Sequence, residues 1–274
     1  MRTIPLIVAL LLPLCSMGEE NHEYQFATIA GNEIAWSCRG AGSPTIALIA
    51  GMGLDAHASF SRIHHNYDGT GRICMYDRAG MGKSTFPKAR TRTLNELVEE
   101  LHGVSIRADW GKLVLVAHSF GGFIARSYAS KYHEETLGIL LLDAPHEDWL
   151  PRLRAEMLPA DWAIMERILA WNIRNFHEDY LEAQEAVRST HVATSLPITV
   201  ISRGIPHVQI RLEKMSYEGI ELFDSEHNIL QSQLARLSSN TQHRVARYSS
   251  HMINDFDPWL AVDEIKLLVG RLPN

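Results

Sequence analysis

This sequence of 274 residues has few cysteines and no excess of positive charge. Three cysteines are too few for a small fold held together by several disulfides. The 26 lysines and arginines are outnumbered by 32 aspartates and glutamates, which gives a net charge of −6 at pH 7. No run of basic residues, internal repeat or low-complexity tract occurs. The composition therefore does not support a nucleic-acid partner, a repeat array or a disordered chain.

Hydrophobic runs long enough to cross a membrane are also missing. The longest uncharged apolar stretch, Ile4–Leu14, follows the positively charged Met1-Arg2 and precedes the small residues around Gly18. Such a stretch is too short to span a bilayer as a helix, and this order of regions is typical of a secretory signal peptide. We therefore expect residues 1–18 to be a signal peptide and the mature chain to be secreted or periplasmic.

The remaining sequence has the content of an ordinary globular protein, with 46% hydrophobic residues and enough length for a sizeable core. Short apolar runs alternate with segments of helical periodicity, which predicts a mostly parallel sheet with helices on both faces. The predicted strands are Tyr24–Ala30, Glu33–Cys38, Thr45–Ala50, Arg72–Asp77, Leu113–Val116, Gly138–Asp143, Pro197–Ser202 and Arg244–Tyr248. The predicted helices include Asp55–Ile63, Leu94–Ile106, Glu226–Leu237 and Trp259–Leu272.

Residues 146–196 break this alternation. Large aromatic residues such as Trp149, Trp162 and Trp171 are interleaved with charges at helical spacing, and no strand pattern occurs. We expect a helical cap inserted between two halves of a core, residues 19–145 and 197–274.

A tight turn follows the strand that ends at Val116. In Ala117-His118-Ser119-Phe120-Gly121, small residues allow a strand to turn directly into a helix that starts near Gly121. A serine on such a turn is the nucleophile elbow of serine hydrolases, although the first glycine of G-x-S-x-G is Ala117 here. An ordinary strand–turn–helix unit, in which Ser119 only caps the helix, would have the same local pattern.

The motifs IAGMG, YDRAGMGKS, AHSFGG, LLLDAPHED and SSHMI, in this order, resemble those of the α/β-hydrolase superfamily. The resemblance covers residues 23–272 apart from the insertion. It implies the α/β-hydrolase fold and a catalytic order of serine, acid and histidine along the chain. Ser119, Asp143 and His251 follow that order.

The resemblance also implies a role for each residue. His251, just after the last predicted strand, would accept the proton of Ser119 and return it to the leaving group. Asp143 would hold the tautomer of His251. The commoner position of the acid, after the strand Pro197–Ser202, has no carboxylate, and Asp224 is the alternative, in a loop before the next helix. His118 is expected to turn away from the site.

Two further features follow from the resemblance. An oxyanion hole would use the backbone N–H groups of Met52 and Phe120. The family's sheet places the second strand beside the fourth, so a disulfide between Cys38 and Cys74 is plausible in an oxidising compartment.

Other kinds of site fit less well. Gly82-Lys83-Ser84 imitates part of a phosphate-binding loop, but the glycine required five positions earlier is Asp77. The histidines near Asp55 lack the spacing of a helical zinc motif. The sequence therefore implies no metal and no organic cofactor.

The expected activity is acyl transfer from a small or medium hydrophobic substrate, most simply a carboxylic ester. Hydrolysis of a lactone, an amide or a C–C bond by the same residues remains open. A ligand-binding protein without catalysis on the same fold is the alternative from another class.

Overall fold

A sheet of eight strands organises the computed structural model, which describes residues 23–85, 90–207 and 214–272. The expected signal peptide lies outside these residues. The strands are β1 Gln25–Ile29, β2 Asn32–Gly40, β3 Thr45–Ile49, β4 Arg72–Asp77, β5 Leu113–His118, β6 Thr136–Leu142, β7 Ile198–Arg203 and β8 Thr241–Ala246.

The strand order is β1-β2-β4-β3-β5-β6-β7-β8. The pairs β1–β2 and β2–β4 are antiparallel, and all other neighbours are parallel. The central strands β3 and β5 are buried along their whole length, which explains why they appear in the sequence as continuous apolar runs. The predicted mostly parallel sheet is confirmed.

Helices cover both faces of the sheet. Helices α2 and α3 contribute to the core on one face, and α1 and α9 to the core on the other. The bounds are α1 Ala56–Asn66, α2 Leu94–Arg107, α3 Gly121–Lys131, α4 Trp149–Glu156, α5 Pro159–Phe176, α6 Tyr180–Val187, α7 Tyr217–Leu234, α8 Ile253–Phe256 and α9 Pro258–Val269. Within the described ranges, no helix is long and apolar enough to cross a membrane.

Local capping explains several helix starts. Thr93 and Glu96 form a reciprocal capping box at the start of α2, and the Asp55 side chain accepts a hydrogen bond from Ala58 N at the start of α1. At the start of α7, Ser216 accepts from Gly219 N, so this helix begins nine residues earlier than the sequence pattern predicts. The prediction that Asp224 lies in a loop is therefore wrong, because Asp224 lies inside α7.

Helices α4, α5 and α6 occupy the stretch 149–187, within residues 146–196, which we call the cap segment. A separate hydrophobic cluster joins α4 and α5 to α7 through side chains such as Leu153, Met165 and Leu230. The cap segment thus packs on the core through its own small core.

The antiparallel edge of the sheet carries a disulfide. Cys38 on β2 lies opposite Cys74 on β4, and their sulfur atoms are bonded. The bond indicates an oxidising environment.

Candidate active site

The turn between β5 and α3 presents Ser119 at the carboxyl end of the central strands. The backbone of Ser119 has φ +51°, in the left-handed region that is strained for a residue with a side chain. A Cβ atom on Gly121 would lie 2.5 Å from the Ile49 carbonyl oxygen, so only glycine allows α3 to start against β3. The methyl group of Ala117, in place of the usual glycine, is buried in the core beneath this turn.

Three side chains predicted from the sequence meet in a line. His251 Nε2 lies 2.9 Å from Ser119 Oγ, and His251 Nδ1 lies 2.7 Å from Asp143 Oδ2. These residues come from three separate segments, 132 and 108 positions apart along the chain. The distances are those of a base within reach of a nucleophile, with the base oriented by a carboxylate.

The Asp143 carboxylate is fully buried and accepts four hydrogen bonds. Besides His251, its donors are Arg203 N at 3.0 Å, Arg203 Nη1 at 2.8 Å and His227 Nε2 at 2.9 Å. Four donors match the roughly four lone-pair directions of a carboxylate. The arrangement fixes the orientation of Asp143 and favours its ionised form.

Burial alone would raise the pKa of Asp143, but other effects outweigh it. His227, the Arg203 guanidinium and the hydrogen bonds from both histidines hold the pKa of Asp143 well below its usual range. Burial lowers the pKa of His227. Asp143 is therefore ready to accept the Nδ1–H hydrogen bond of His251 at neutral pH.

Asp224, the alternative acid, lies on the far side of Arg203. Arg203 Nη2 donates to Asp224 Oδ1 at 2.6 Å, and His207 N donates to the same oxygen at 3.0 Å. Among the hydrogen bonds of the described residues, Asp224 makes none to His251. Geometry thus favours Asp143 as the partner of His251, and Arg203 forms an ion pair with both carboxylates.

The expected oxyanion donors belong to two residues from different parts of the chain. Met52 follows β3, Phe120 precedes the first residue of α3, and both line the same cavity as Ser119 and His251. Neither backbone N–H donates to an acceptor within the described residues. Both amides are therefore available to a ligand.

The loop at residues 50–53 is held by residues that the sequence analysis did not select. Arg78 donates to the carbonyl oxygens of Ala50 and Gly51 and to the carboxylate of Glu178. The sequence pattern does not mark Arg203 or His227 either. Of these residues, only Arg78 could have been identified from the sequence, because it belongs to a motif that resembles those of the family.

A cavity of about 890 Å³ opens above Ser119 between the sheet and the cap segment. Its walls are mostly apolar and aromatic, with His207 stacked on His251 at 4.6 Å between ring centroids. Apolar residues that line it include Pro145, Trp149, Leu150, Met165, Ile168, Leu169, Trp171, Tyr180 and Phe223. The site can therefore enclose a hydrophobic molecule.

His118 is buried beneath the turn and does not line this cavity. Its Nε2 lies 2.9 Å from the carbonyl oxygen of His251. Burial lowers the pKa of His118 to about 3, so its ring is neutral at ordinary pH and donates to that carbonyl. His118 thus supports the backbone of the loop that carries His251.

The resemblance to a phosphate-binding loop has a structural explanation. Asp77 accepts hydrogen bonds from Ala56 N and Lys83 N, and Ser84 donates to the Asp77 carbonyl oxygen. The Gly82-Lys83-Ser84 turn is therefore hydrogen-bonded to Asp77, whose negative charge would repel a phosphate.

Comparisons with known proteins agree with this architecture. A family model for the alpha/beta hydrolase fold matches residues 46–188. The chain is similar to the uncharacterized protein YqjL of Bacillus subtilis, with 28% identity over 232 residues that cover 80% of this chain and 81% of that protein.

Two solved structures have the same fold. One is a thermophilic esterase from Thermogutta terrifontis, with a TM-score of 0.60 and 19% identity, covering 91% of this chain and 98% of that one. The other is the enol-lactonase from Burkholderia xenovorans, with a TM-score of 0.59 and 18% identity, covering 90% and 100%. At these identities the two structures bear on the fold alone.

Proposed function

The chain belongs to the α/β-hydrolase fold family, and from that premise we propose that it is a serine hydrolase that cleaves a carboxylic ester. The observation that carries the proposal is the line of atoms from Ser119 Oγ through His251 to Asp143, with separations of 2.9 and 2.7 Å. A serine hydroxyl is a weak nucleophile at its ordinary pKa, and a hydrogen-bonded histidine is the base that activates it.

The proposed reaction has two halves. Ser119 Oγ attacks the ester carbonyl carbon while His251 Nε2 takes the hydroxyl proton, and His251 then gives that proton to the departing alcohol. A water molecule attacks the acyl-enzyme in the same way and releases the carboxylic acid. Asp143 stays ionised throughout and stabilises the imidazolium form of His251, as its four donors and its lowered pKa favour.

The oxyanion formed in each half needs hydrogen-bond donors that are in place before the reaction. The N–H groups of Met52 and Phe120 would supply them. In a comparable enzyme, loss of one such donor costs about 10²–10³ in kcat.

The walls of the cavity support the substrate class. Trp149, Met165, Leu169 and Phe223 lie around the space above Ser119, and burial of an apolar chain there is favourable by roughly 0.8 kcal/mol per CH₂ group. A cavity of about 890 Å³ suits a small or medium acyl group with its alcohol. Export from the cytoplasm, for which residues 1–18 are the expected signal, fits the Cys38–Cys74 disulfide.

Covalent labelling tests the proposal. A fluorophosphonate probe should modify the wild-type protein at Ser119, while Ser119→Ala should take up no label and lose at least about 10⁴-fold in esterase kcat. Ser232→Ala, an exposed serine on α7, is the matched control and should behave as wild type.

A panel of nitrophenyl esters of increasing chain length, with a lactone and an anilide, then ranks the bond types and chain lengths. A wild type that labels no better than Ser119→Ala would contradict the serine-hydrolase proposal. Faster turnover of the lactone or the anilide than of every ester would contradict the ester assignment.

A further inference from the structure

The loop that carries Met52 is held at three of its backbone groups by two buried side chains. Arg78 Nη1 donates to the Ala50 carbonyl oxygen and Arg78 Nη2 to that of Gly51, each at 2.7 Å. On the other side of Met52, the N–H of Gly53 donates to Glu178 Oε2 at 3.3 Å. The Met52 N–H lies between these anchored groups and has no acceptor within the described residues.

Arg78 and Glu178 are also bonded to each other. Arg78 Nε lies 2.6 Å from Glu178 Oε1, and the two side chains expose 1% and 0% of their surface. A buried carboxylate and a buried guanidinium tolerate burial only when both are fully hydrogen-bonded. Any displacement of one therefore moves the other, and both move the loop.

Glu178 belongs to the cap segment, in the short link between α5 and α6. Arg92, before the start of α2, pairs with Glu178 and with Glu100. Its Nη2 lies 3.3 Å from Glu178 Oε1, and its Nη1 lies 3.2 Å from Glu100 Oε2. Two cations thus balance two carboxylates in one buried group. The cap segment is joined to the loop around Met52 by charge-assisted hydrogen bonds and not only by apolar packing.

We propose that Arg78 and Glu178 are positioning residues that hold the Met52 N–H toward the substrate carbonyl oxygen, so that the cap segment completes the oxyanion hole. This inference rests on the proposed serine-hydrolase function. Arg78 suits the task because a planar guanidinium can reach two carbonyl oxygens and a carboxylate at once, whereas a lysine ammonium cannot keep that geometry. The pair acts on the chemistry only through the backbone of residues 50–53.

A structural pin, by which we mean an ion pair that only fastens the cap segment to the core, should not affect the oxyanion hole. The chain contains one such ion pair. Arg126 on α3 bonds Glu147, at the start of the cap segment, through Nη1 at 2.6 Å and Nη2 at 3.0 Å. Arg126 is buried as Arg78 is, but neither Arg126 nor Glu147 contacts the loop at residues 50–53 in any bond of the described residues. Glu147→Gln is therefore the matched control for Glu178→Gln.

The experiment compares an oxygen ester with the thionoester that carries sulfur in place of its carbonyl oxygen. Sulfur accepts hydrogen bonds poorly, so the ratio of kcat/KM for the two substrates reports the oxyanion hole. In Arg78→Lys and Glu178→Gln we expect kcat for the oxygen ester to fall about 10- to 100-fold with KM within about threefold. The oxygen-to-sulfur ratio should fall about tenfold, because the thionoester has less to lose.

Rates are normalised to the fraction of protein that a fluorophosphonate probe can label, which removes any effect of misfolding. If Glu178→Gln does not fold, Glu178→Asp keeps the charge and is too short to bridge Arg78 and Gly53 N, so the same losses are expected there. Glu147→Gln should keep the wild-type ratio.

Two outcomes would overturn the inference. A wild-type oxygen-to-sulfur ratio in folded Arg78→Lys and Glu178→Asp, or the same fall in Glu147→Gln, would make the pair a structural pin while leaving the proposed function intact. A wild type that neither labels nor hydrolyses any ester would instead overturn the proposed function, and this assignment with it.

Discussion

Two buried charge networks flank Ser119, and they differ in where their residues come from. The acid-side network consists of Asp143, Arg203, Asp224 and His227, which all lie outside the cap segment. The loop-side network consists of Arg78, Arg92, Glu100 and Glu178, and its central carboxylate belongs to the cap segment. In both, a buried arginine joins the end of a strand to groups distant in sequence.

The difference separates two parts of the proposed reaction. The groups that would orient His251 for proton transfer are joined by hydrogen bonds that involve no residue of the cap segment, whereas the loop that would stabilise the oxyanion is hydrogen-bonded to it. The networks also differ in chemistry. The acid-side network contains a histidine, His227, whose pKa burial lowers, while the loop-side network contains only arginines and glutamates. Changes in the cap segment should therefore act mainly on the loop side, to which Glu178 belongs.

The largest effect is expected from Asp143→Asn. The asparagine would keep the shape of the side chain but lose the charge, so His251 would lose its orienting acceptor and the stabilisation of its imidazolium form. Turnover of the best ester should fall by about 10⁴, with little change in KM, in steady-state kinetics.

Asp224→Asn is the matched control, because Asp224 also bonds Arg203 but makes no described hydrogen bond to His251. It should keep kcat within about tenfold of wild type. If Asp143→Asn is fully active and Asp224→Asn is not, then Asp224, and not Asp143, is the acid that orients His251.

A smaller effect, with a predictable direction, is expected on the pH dependence of kcat/KM. The Arg203 guanidinium is one of the charges that lower the pKa of Asp143. Its removal in Arg203→Gln makes Asp143 easier to protonate, so activity should be lost at a higher pH as the solution is acidified. Removing the negative charge in Asp224→Asn has the opposite effect. The acid limb of kcat/KM should move up by about one pH unit in the first variant and down in the second.

Arg203→Lys keeps the charge and should leave the acid limb near its wild-type position. Arg203→Gln leaves two buried carboxylates without their arginine, at a cost of about 3–5 kcal/mol in the free energy of unfolding. If Arg203→Gln does not fold, the direction of the shift in Asp224→Asn still tests the prediction. Arg78→Lys, on the loop side, should lower kcat without moving the limb. Shifts of the same sign in Arg203→Gln and Asp224→Asn would contradict the electrostatic account.

The sequence predicts those parts of this site that depend on local pattern and chain order. Ser119 is marked by a short turn between an apolar run and a helix, and His251 by its place after the last strand. The sheet follows from alternating apolar runs, because a strand buried on both faces has to be apolar throughout. The disulfide follows from the strand order that the resemblance implies.

The supporting charges could not be predicted in this way. Arg203 meets Asp143 across 60 positions and Arg78 meets Glu178 across 100, and no periodicity links such pairs. The sequence pattern predicts a loop at Asp224, but Ser216 caps α7 upstream of it, and Asp224 lies buried inside that helix. Burial and long-range pairing, which only the folded chain reveals, decide the role of each of these residues.

The last effect concerns stability and not catalysis, and it involves His118, which lies close to both Gly51 and His251. A Cβ on Gly51 would lie 3.0 Å from His118 Nδ1 on one side, and His118 Nε2 contacts the His251 carbonyl oxygen on the other. Burial holds the pKa of His118 at about 3 in the folded protein, against about 6.5 for an unfolded histidine. Between these values the unfolded chain binds one more proton than the folded one.

Stability should therefore be complete above about pH 6.5 and should decrease as the pH falls toward 3, by about 1.4 kcal/mol per pH unit from this histidine alone. His118→Gln keeps a donor for the His251 carbonyl and removes the titration, so denaturant unfolding at several pH values should show a shallower loss of stability in acid. A matched exchange at the exposed His133 controls for the removal of a histidine as such. An unchanged slope in His118→Gln would mean that His118 titrates alike in both states, and that the space around its ring is open to water.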